Sequence, residues 1–528
     1  MSDIVTLNGY KIKDEKAIRS YETVALMKAD TKLKEGYHVK TKGYYEANDG
    51  GHGEYIIVDD DSLVDDGGSI HVLTNGLRAK LLIENDCVNV KQLGAYGDGE
   101  HDDTNTFKTF ANSSITKLII PDGTYNINKE INFENKILLG SNESILNITE
   151  VESGKEHMIV FDGSNKIENI IFKQTATDTM KLVKLQNNEN TTFEKCQFIA
   201  DGVDCGSELD IYTNNKNIII NDCYFKLNSV NTSNVNTEGG VWIREYDSET
   251  TSKNIIFNNC MFEHKSSDEV IAVWDWLGHV EDVQLNNCIF EELNGNTGVH
   301  FITFDTKNSS MNNCIINAKQ LNSRSSIIWS YNLNEVFIND CIFNVNATFV
   351  NSIIKNTKAY VDNCVFNNEK KTLFNQIALI NNSVINTHQF EIRECALKNS
   401  KINNIGYAGN KCISNNTYLQ NVEITGLTWE NGGNAFISCD DSDSTINITY
   451  DNVKAYGDLT NCQYWFFSNR SSATIKLKLI NSFIKGGIYS TSTMTQGIVA
   501  NNFSDRDYTD VAITGVTFNN NVDIDYFG

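Results

Sequence analysis

The sequence predicts an all-β chain: a right-handed, single-stranded parallel β-helix behind a small N-terminal α+β head module. Three observations carry this. A phrase centred on Cys recurs, as INDCYF at Cys223, FNNCMF at Cys260, LNNCIF at Cys288, MNNCII at Cys314, INDCIF at Cys341 and VDNCVF at Cys364, with FEKCQF at Cys196 a looser copy. From Cys196 onward the steps are 27, 37, 28, 26, 27 and 23 residues, a period that marks a solenoid or a propeller. The composition agrees. Of 528 residues 71 are Asn and one is Pro. Asn forms helices poorly but tolerates left-handed turns. So much Asn therefore suits many tight corners rather than a helical bundle.

The elements follow in order. Residues 1–86 lack the repeat. A helix is predicted over Tyr21–Lys34, ended at Glu35-Gly36, followed by short strands with Gly-rich turns. Residues 87–130 read as an entry and capping segment. Val88–Leu93 alternates as a strand, Gly97-Asp98-Gly99 is a tight turn, and Asp102-Asp103-Thr104 offers N-cap oxygens to a short helix carrying Phe107 and Phe110. LIIPDGTYNI, with Pro121, is then a strand, a turn and a strand. Residues 131–500 hold the coils. Runs such as NIII, NIIF and VFIN are strands and the Asn/Asp/Ser clusters are corners. At about 26 residues per coil the chain makes about fifteen turns. Later copies keep the shape without Cys, as in INNSVI at Ser383 and LINSFI at Ser482. Residues 501–528 form a terminal coil or cap.

Composition also narrows function. The net charge is −24, which argues against a nucleic-acid backbone as partner. No run approaches the 18 apolar residues of a membrane span, and the N-terminus has no apolar signal region. The 13 Cys include no CxxC. They read as small buried side chains at the corners, not as disulfides or metal ligands.

Stacked coils place equivalent strand residues about 4.8 Å apart. Aligning the strands between corners sets Val241–Asp247 opposite Ile271–Leu277. The next coils then offer Val299–Asp305 and Ile327–Tyr331. Glu245 falls beside Asp275 and Arg244 beside Trp274, with Asp247 close by and Asp305 further on. Glycoside hydrolysis needs two carboxylates, about 5 Å apart for retention and about 6.5–9.5 Å for inversion. Glu245 and Asp275 are the lead catalytic pair, with Asp247 and Asp305 as replacements. Trp242, Trp274, Trp276, Trp329 and Tyr331 offer flat faces to sugars. Arg244, His300, Glu208 and Asp210 complete the expected substrate-binding set.

The segment VNVKQLGAYGDGEHDDTNTF with IIPDGTY resembles the entry motif of the pectate-lyase-like parallel β-helix superfamily, as found in phage tailspike and preneck appendage proteins. The matching residues are Val88, Val90, Gly94, Ala95, Gly97, Asp98, Gly99, Asp102, Asp103, Thr104 and Phe107, then Ile120, Pro121, Gly123, Thr124 and Tyr125. Gln92 and Leu93 depart from the family's Asp-Phe. Ala25–Val58 is similar to the head segment of phage tail proteins. The resemblance implies a homotrimer in the virion tail, attached through residues 1–86 to other tail proteins and assembled in the host cytoplasm without a signal peptide. It implies binding, and hydrolysis, of a bacterial cell-surface glycan: capsule, exopolysaccharide or wall teichoic acid. No cofactor is expected, apart from a candidate Ca²⁺ site at Asp98, Asp102 and Asp103. A non-catalytic adhesin and a polysaccharide lyase remain open from the residues alone.

Overall fold

The computed structural model describes residues 18–176 without a break, the strands Val5–Leu7 and Tyr10–Ile12, and, from Met180 to Ala500, the strands and most corners. The segments 177–179, 201–204, 228–239, 265–269, 275–278, 293–299, 319–325, 330–334, 347–352, 405–412 and 429–436, further short stretches, and residues 501–528 lie outside the described residues. The chain divides into two compact units, Met1–Asn234 and Val235–Gly528.

In the first unit the head is a five-stranded sheet in the order Arg19–Tyr21, His38–Thr41, Gly53–Val58, Arg78–Leu81, Ile70–Val72. Val39, Tyr55, Ile57 and Ala79 fill its interior. The predicted helix is shorter than its pattern and spans Val24–Ala29. Thr23 caps it, and it stops at Asp30, whose carboxylate accepts from Tyr21 (2.6 Å) and Arg19 (3.1 Å). An extended Asp30 serves these two bonds, so the apolar periodicity beyond it goes unused.

The capping segment departs from expectation in one place. The strand is Cys87–Asn89, and Val90–Leu93 is a 3-10 turn. Asn89 accepts from Lys91 N (2.9 Å) and Gln92 returns to Asn89 N (3.0 Å), a reciprocal cap that outweighs the alternation. Gln92, a departure from the superfamily pattern, is thus what closes the turn. Helix Thr104–Asn112 buries Phe107 and Phe110. Asp103 is its N-cap residue but makes no side-chain cap bond; Asp102 supplies the expected oxygen to Thr104 N (2.9 Å), while the Asp103 carboxylate holds the Gly97 turn, accepting from Tyr96 N (2.7 Å) and Gly97 N (3.1 Å). Gly97 has φ +63°, and a Cβ there would meet the Tyr125 ring at 2.6 Å, so the turn requires glycine. The strands Lys117–Ile120 and Gly123–Ile127 flank Pro121 as predicted.

Both units then wind as a parallel β-helix. In the first, Ile137–Ile148, Lys166–Gln174, Gln197–Ala200 and Tyr224–Leu227 pair in parallel. A second sheet runs Ile131–Glu134, His157–Gly163, Met180–Asn188, Cys205–Thr213. In the second unit Met261–His264, Ile289–Glu292, Ile315–Ala318, Ile342–Val345 and Val365–Asn375 pair in parallel. So do Val241–Arg244, Ile271–Trp274, His300–Asp305 and Ser326–Trp329. Inward Phe side chains stack at the coil rise: Phe198 on Phe225 at 4.7 Å, Phe262 on Phe290 at 4.8 Å, Phe343 on Phe366 at 4.7 Å.

The repeated phrase now has a residue-by-residue cause. The first Asn or Asp stays extended and ladders through its amide, with Asn286 donating to Asn258 (3.0 Å), Asn312 to Asn286 (2.9 Å) and Asn339 to Asn312 (2.9 Å). The second takes the left-handed conformation, as at Asn259, Asn287, Asn313, Asp340 and Asn363, with φ between 52° and 56°. The Cys that follows is buried, and its thiol serves backbone groups. Cys314 Sγ donates toward Asn312 O (3.3 Å), and Cys341 Sγ accepts from Cys314 N (3.4 Å). Where Cys gives way to Ser the bonds persist: Ser383 Oγ accepts from Cys364 N (3.2 Å) and donates to Asn381 O (2.7 Å). No helix among the described residues is long and apolar enough to cross a membrane.

Candidate functional site

Strand Cys205–Thr213 of the first unit alternates Leu209 and Ile211, both fully buried in the core, with Glu208 and Asp210 on the opposite side. Neither carboxyl meets solvent: Glu208 is 2% exposed and Asp210 0%. Asp210 Oδ2 lies 2.8 Å from Nε2 of His157 and 3.8 Å from Nζ of Lys181. His157 and Lys181 are register partners on adjacent strands, and Lys181 also reaches Glu156 at 3.6 Å. Asp210 thus sits in an ion-pair network, the arrangement that makes a buried carboxylate tolerable. Glu208 differs. Burial pushes its carboxyl up to about 8, and its own backbone N–H lowers it only in part. It carries a proton at neutral pH. Two carboxyls on one strand, two residues apart, thus sit in different surroundings, one beside His157 and Lys181 and one pushed up by burial.

Sequence reasoning named Glu208 and Asp210 as substrate-binding residues and did not name His157 and Lys181, which the fold brings beside Asp210. Aligning Ile159 with Val183 and Leu209, an apolar row, places His157 against Lys181 and Lys181 against Ser207, whereas Asp210 pairs with Lys184, so row alignment alone does not reveal the contact.

In the second unit Val241–Arg244 pairs with Ile271–Trp274 in the expected register, Val241 opposite Ile271 and Arg244 opposite Trp274. The next strand is shifted by three. Ile271 faces Ile302, not Val299, so Trp274 faces Asp305. One coil on, Ile302 faces Ile328 and Thr303 faces Trp329. The apolar positions set the register: Ile243, Val273 and Phe304 are fully buried in one row. The alternate rows then read Trp242, Ala272, Thr303, Trp329 and Arg244, Trp274, Asp305.

The Arg244 guanidinium stands over the Trp242 ring at 3.4 Å, with both side chains buried, a desolvated cation–π contact. Glu245 follows the end of the strand and is 1% exposed. Ser252 Oγ donates to its Oε2 (2.9 Å) and Asp247 N to its Oε1 (3.1 Å). Both oxygens brace the corner. Asp247 is exposed and accepts from Glu249 N at 2.9 Å. Trp329 is half-buried. Asp275, Trp276 and Tyr331 lie outside the described residues, as do the side chains of Trp274, His300 and Asp305.

At the entry segment the three aspartates serve separate groups. Asp98 accepts from Glu100 N (2.9 Å), His101 N (3.0 Å) and the His101 ring (2.7 Å), Asp102 from Thr104 N (2.9 Å), and Asp103 from the Gly97 turn. Among the described residues no three His, Cys, Asp or Glu side chains converge where a metal ion could sit. This donor set does not fit Ca²⁺.

Residues 20–84 match the family model of the "Phage tail protein small four-stranded beta-sheet domain". The match covers the head module alone. No curated protein matches the chain. Solved structures similar to it include a Pantoea stewartii glycan biofilm modifying enzyme with a bacteriophage tailspike-like parallel β-helix fold (13% identity, TM-score 0.41, 74% of this chain and 49% of that one). A tailspike of Acinetobacter baumannii bacteriophage Fri1, a capsular polysaccharide depolymerase, is another (11%, TM-score 0.38, 96% and 76%). A surface adhesin of Streptococcus pneumoniae is a third (12%, TM-score 0.37, 81% and 98%). The chain spans about half the length of the first of these.

Proposed function

We propose that the chain is a phage tail protein that binds a bacterial surface polysaccharide along its β-helix and hydrolyses it. The phage tail domain at residues 20–84 supports the tail location. The hydrolytic reading rests on one observation: a buried Glu208, its carboxyl pushed up by burial, and an Asp210 hydrogen-bonded to His157, on one strand of the first unit. Environments that push two carboxyls apart mark the acid and its partner. Residues i and i+2 of a strand stand about 6.6 Å apart, which suits inversion better than retention. Glu208 would protonate the leaving oxygen while Asp210, oriented by His157 and Lys181, takes a proton from the attacking water. In the second unit taken by itself, the half-buried Trp329 would offer a face to sugar. Glu245, with both oxygens engaged, is a corner brace in this reading and not the acid.

The near-complete burial of Glu208 and Asp210 favours a second reading, a non-catalytic adhesin, because hydrolysis requires the glycan to displace what covers the pair. Incubation with host wall or capsule separates the two. New reducing ends, lost in Glu208→Gln and Asp210→Asn while adsorption persists, support hydrolysis. Ultraviolet-absorbing unsaturated ends would indicate a lyase instead. Adsorption without any cleavage product would leave the adhesin.

A further inference from the structure

The strand that carries Glu208 and Asp210 is bulged on both sides of them. Met180 faces Cys205 but Lys181 faces Ser207, so Gly206 is an extra residue. Leu185 faces Ile211 but Gln186 faces Thr213, so Tyr212 is another. A bulge inserts an unpaired residue and re-aims a side chain. On the neighbouring strand Lys184 lies between the fully buried Val183 and Leu185, so its own side chain leaves the core. Lys184 is the register partner of Asp210. Its ammonium nevertheless stands over the ring of Tyr212, the bulge residue, at 4.1 Å, a cation–π contact. Asp210 is answered instead by His157 at 2.8 Å and Lys181 at 3.8 Å. The two lysines differ in access. Lys181 is buried, whereas Lys184 and Tyr212 are half-buried beside the covered carboxyl pair. In the next outward row the described carboxylates are Glu134 and Asp162, which are register partners, and Asp162 accepts from the Gln186 amide at 3.3 Å.

We infer that Lys184, seated on Tyr212, reads an anionic group of the glycan, a carboxylate or a phosphate on the sugar next to the bond that is cut. The substrate class follows, resting on cleavage by Glu208 and Asp210 as proposed above: an acidic glycan. A neutral polymer laid on this face would strip water from the ammonium and offer it no charge in exchange. An anion replaces that water with a charge-assisted hydrogen bond. The Tyr212 ring already holds the ammonium in place, which reduces the ordering lost when the glycan binds. The net charge of −24 sets a further limit. It repels a dense polyanion over most of the surface, so the acidic groups must be spaced along the polymer rather than borne by every sugar. Glu134 and Asp162 oppose an anion in the neighbouring row, which confines it to Lys184.

The test uses the full chain and host capsule or wall polysaccharide in three forms: native, carboxyl-reduced with carbodiimide and borohydride, and freed of phosphate with cold hydrofluoric acid. All three are sized to oligosaccharides of matched length. Binding by calorimetry and new reducing ends are measured separately. Parent binding should weaken about tenfold on one of the two treated forms, the factor that one charge-assisted bond supplies. The treatment that does so identifies the anion as carboxylate or phosphate. Lys184→Met should weaken about tenfold on the native form and match the parent on the treated one, and Lys184→Arg should retain most of the native affinity. A parent indifferent to both treatments overturns the inference, and that comparison needs no variant to fold. A Lys184→Met variant weakened equally on native and treated forms also overturns it, because a lysine that only braces the coils would behave so. Binding that depends on the glycan charge and on Lys184, without new reducing ends, supports the anion site while the hydrolytic reading falls. Equal release of reducing ends from all three forms supports hydrolysis while the anion site falls.

Discussion

Glu208→Gln removes a proton that the folded chain holds and the unfolded chain releases. The carboxyl moves from its usual 4.5 to about 8 on burial. Between those values the native state binds one more proton than the unfolded state, so stability falls as pH rises, by about 1.4 kcal/mol per unit. Below 4.5 both states are protonated and nothing is lost. Above about 8 both are ionised and the loss is complete. Over about 3.5 units the total is on the order of 5 kcal/mol. Gln is near-isosteric and never ionises, so it should match the parent at pH 4.5 and exceed it progressively up to pH 8.

A local probe is needed, since a stacked solenoid does not unfold as one two-state unit. Hydrogen exchange read by mass spectrometry on the Met180–Asn188 and Cys205–Thr213 strands provides it. Parent and variant are compared at each pH, so that the intrinsic exchange chemistry cancels. The expected difference in opening free energy is near zero at pH 4.5 and several kcal/mol at pH 8. A difference that stays constant across this range would refute the reasoning. Glu208 would then not be held protonated, and its role as general acid would fall with it. If the role stands, cleavage by the parent should fade as pH rises through about 8.

His71 of the head is fully buried, neither ring nitrogen is hydrogen-bonded, and burial lowers it to about 4. Its neutral form is favoured in the fold, so head stability should fall as pH drops from 6.5 toward 4, by about 3 kcal/mol at most. His71→Phe should flatten that dependence, read by exchange in Gly53–Val58. Asp103→Ala strands the Tyr96 and Gly97 amides and should cost about 2–3 kcal/mol in the exchange protection of helix Thr104–Asn112. Cys341→Ser should cost no more than about 1 kcal/mol, because Ser383 already makes the same bonds, whereas Cys341→Val strands Cys314 N and should cost about 1–3 kcal/mol. Burial pushes the Cys395 thiol up to about 12. It should resist a disulfide reagent until the chain is denatured.

The coils were legible because stacking forces every turn to solve the same problem. Asn259, Asn287 and Asn313 each bend the chain left-handed, and each is followed by a thiol that must satisfy backbone groups, so the solution recurs as a spelled phrase. The looser copies keep the bend at a steric cost, with Lys195 and Glu394 at φ 53° and 50°. The strands that carry the candidate residues obey no such constraint. Ile271 follows its corner Cys260 by eleven residues, but its partner Ile302 follows Cys288 by fourteen. A fixed offset from the Cys therefore sets Asp305 three residues out of place. What holds the register there is the buried Ile243–Val273–Phe304 row, and a strand with apolar residues on both faces does not announce which face is the core. The chemistry was hidden for a related reason. A carboxyl's charge state depends on how deeply it is buried and on what lies beside it. The group that distinguishes Asp210 from Glu208 is His157, 53 residues earlier in the chain. Strand alignment does not bring that residue into view, because the register pairs Asp210 with Lys184 and His157 with Lys181; only the folded side chains meet.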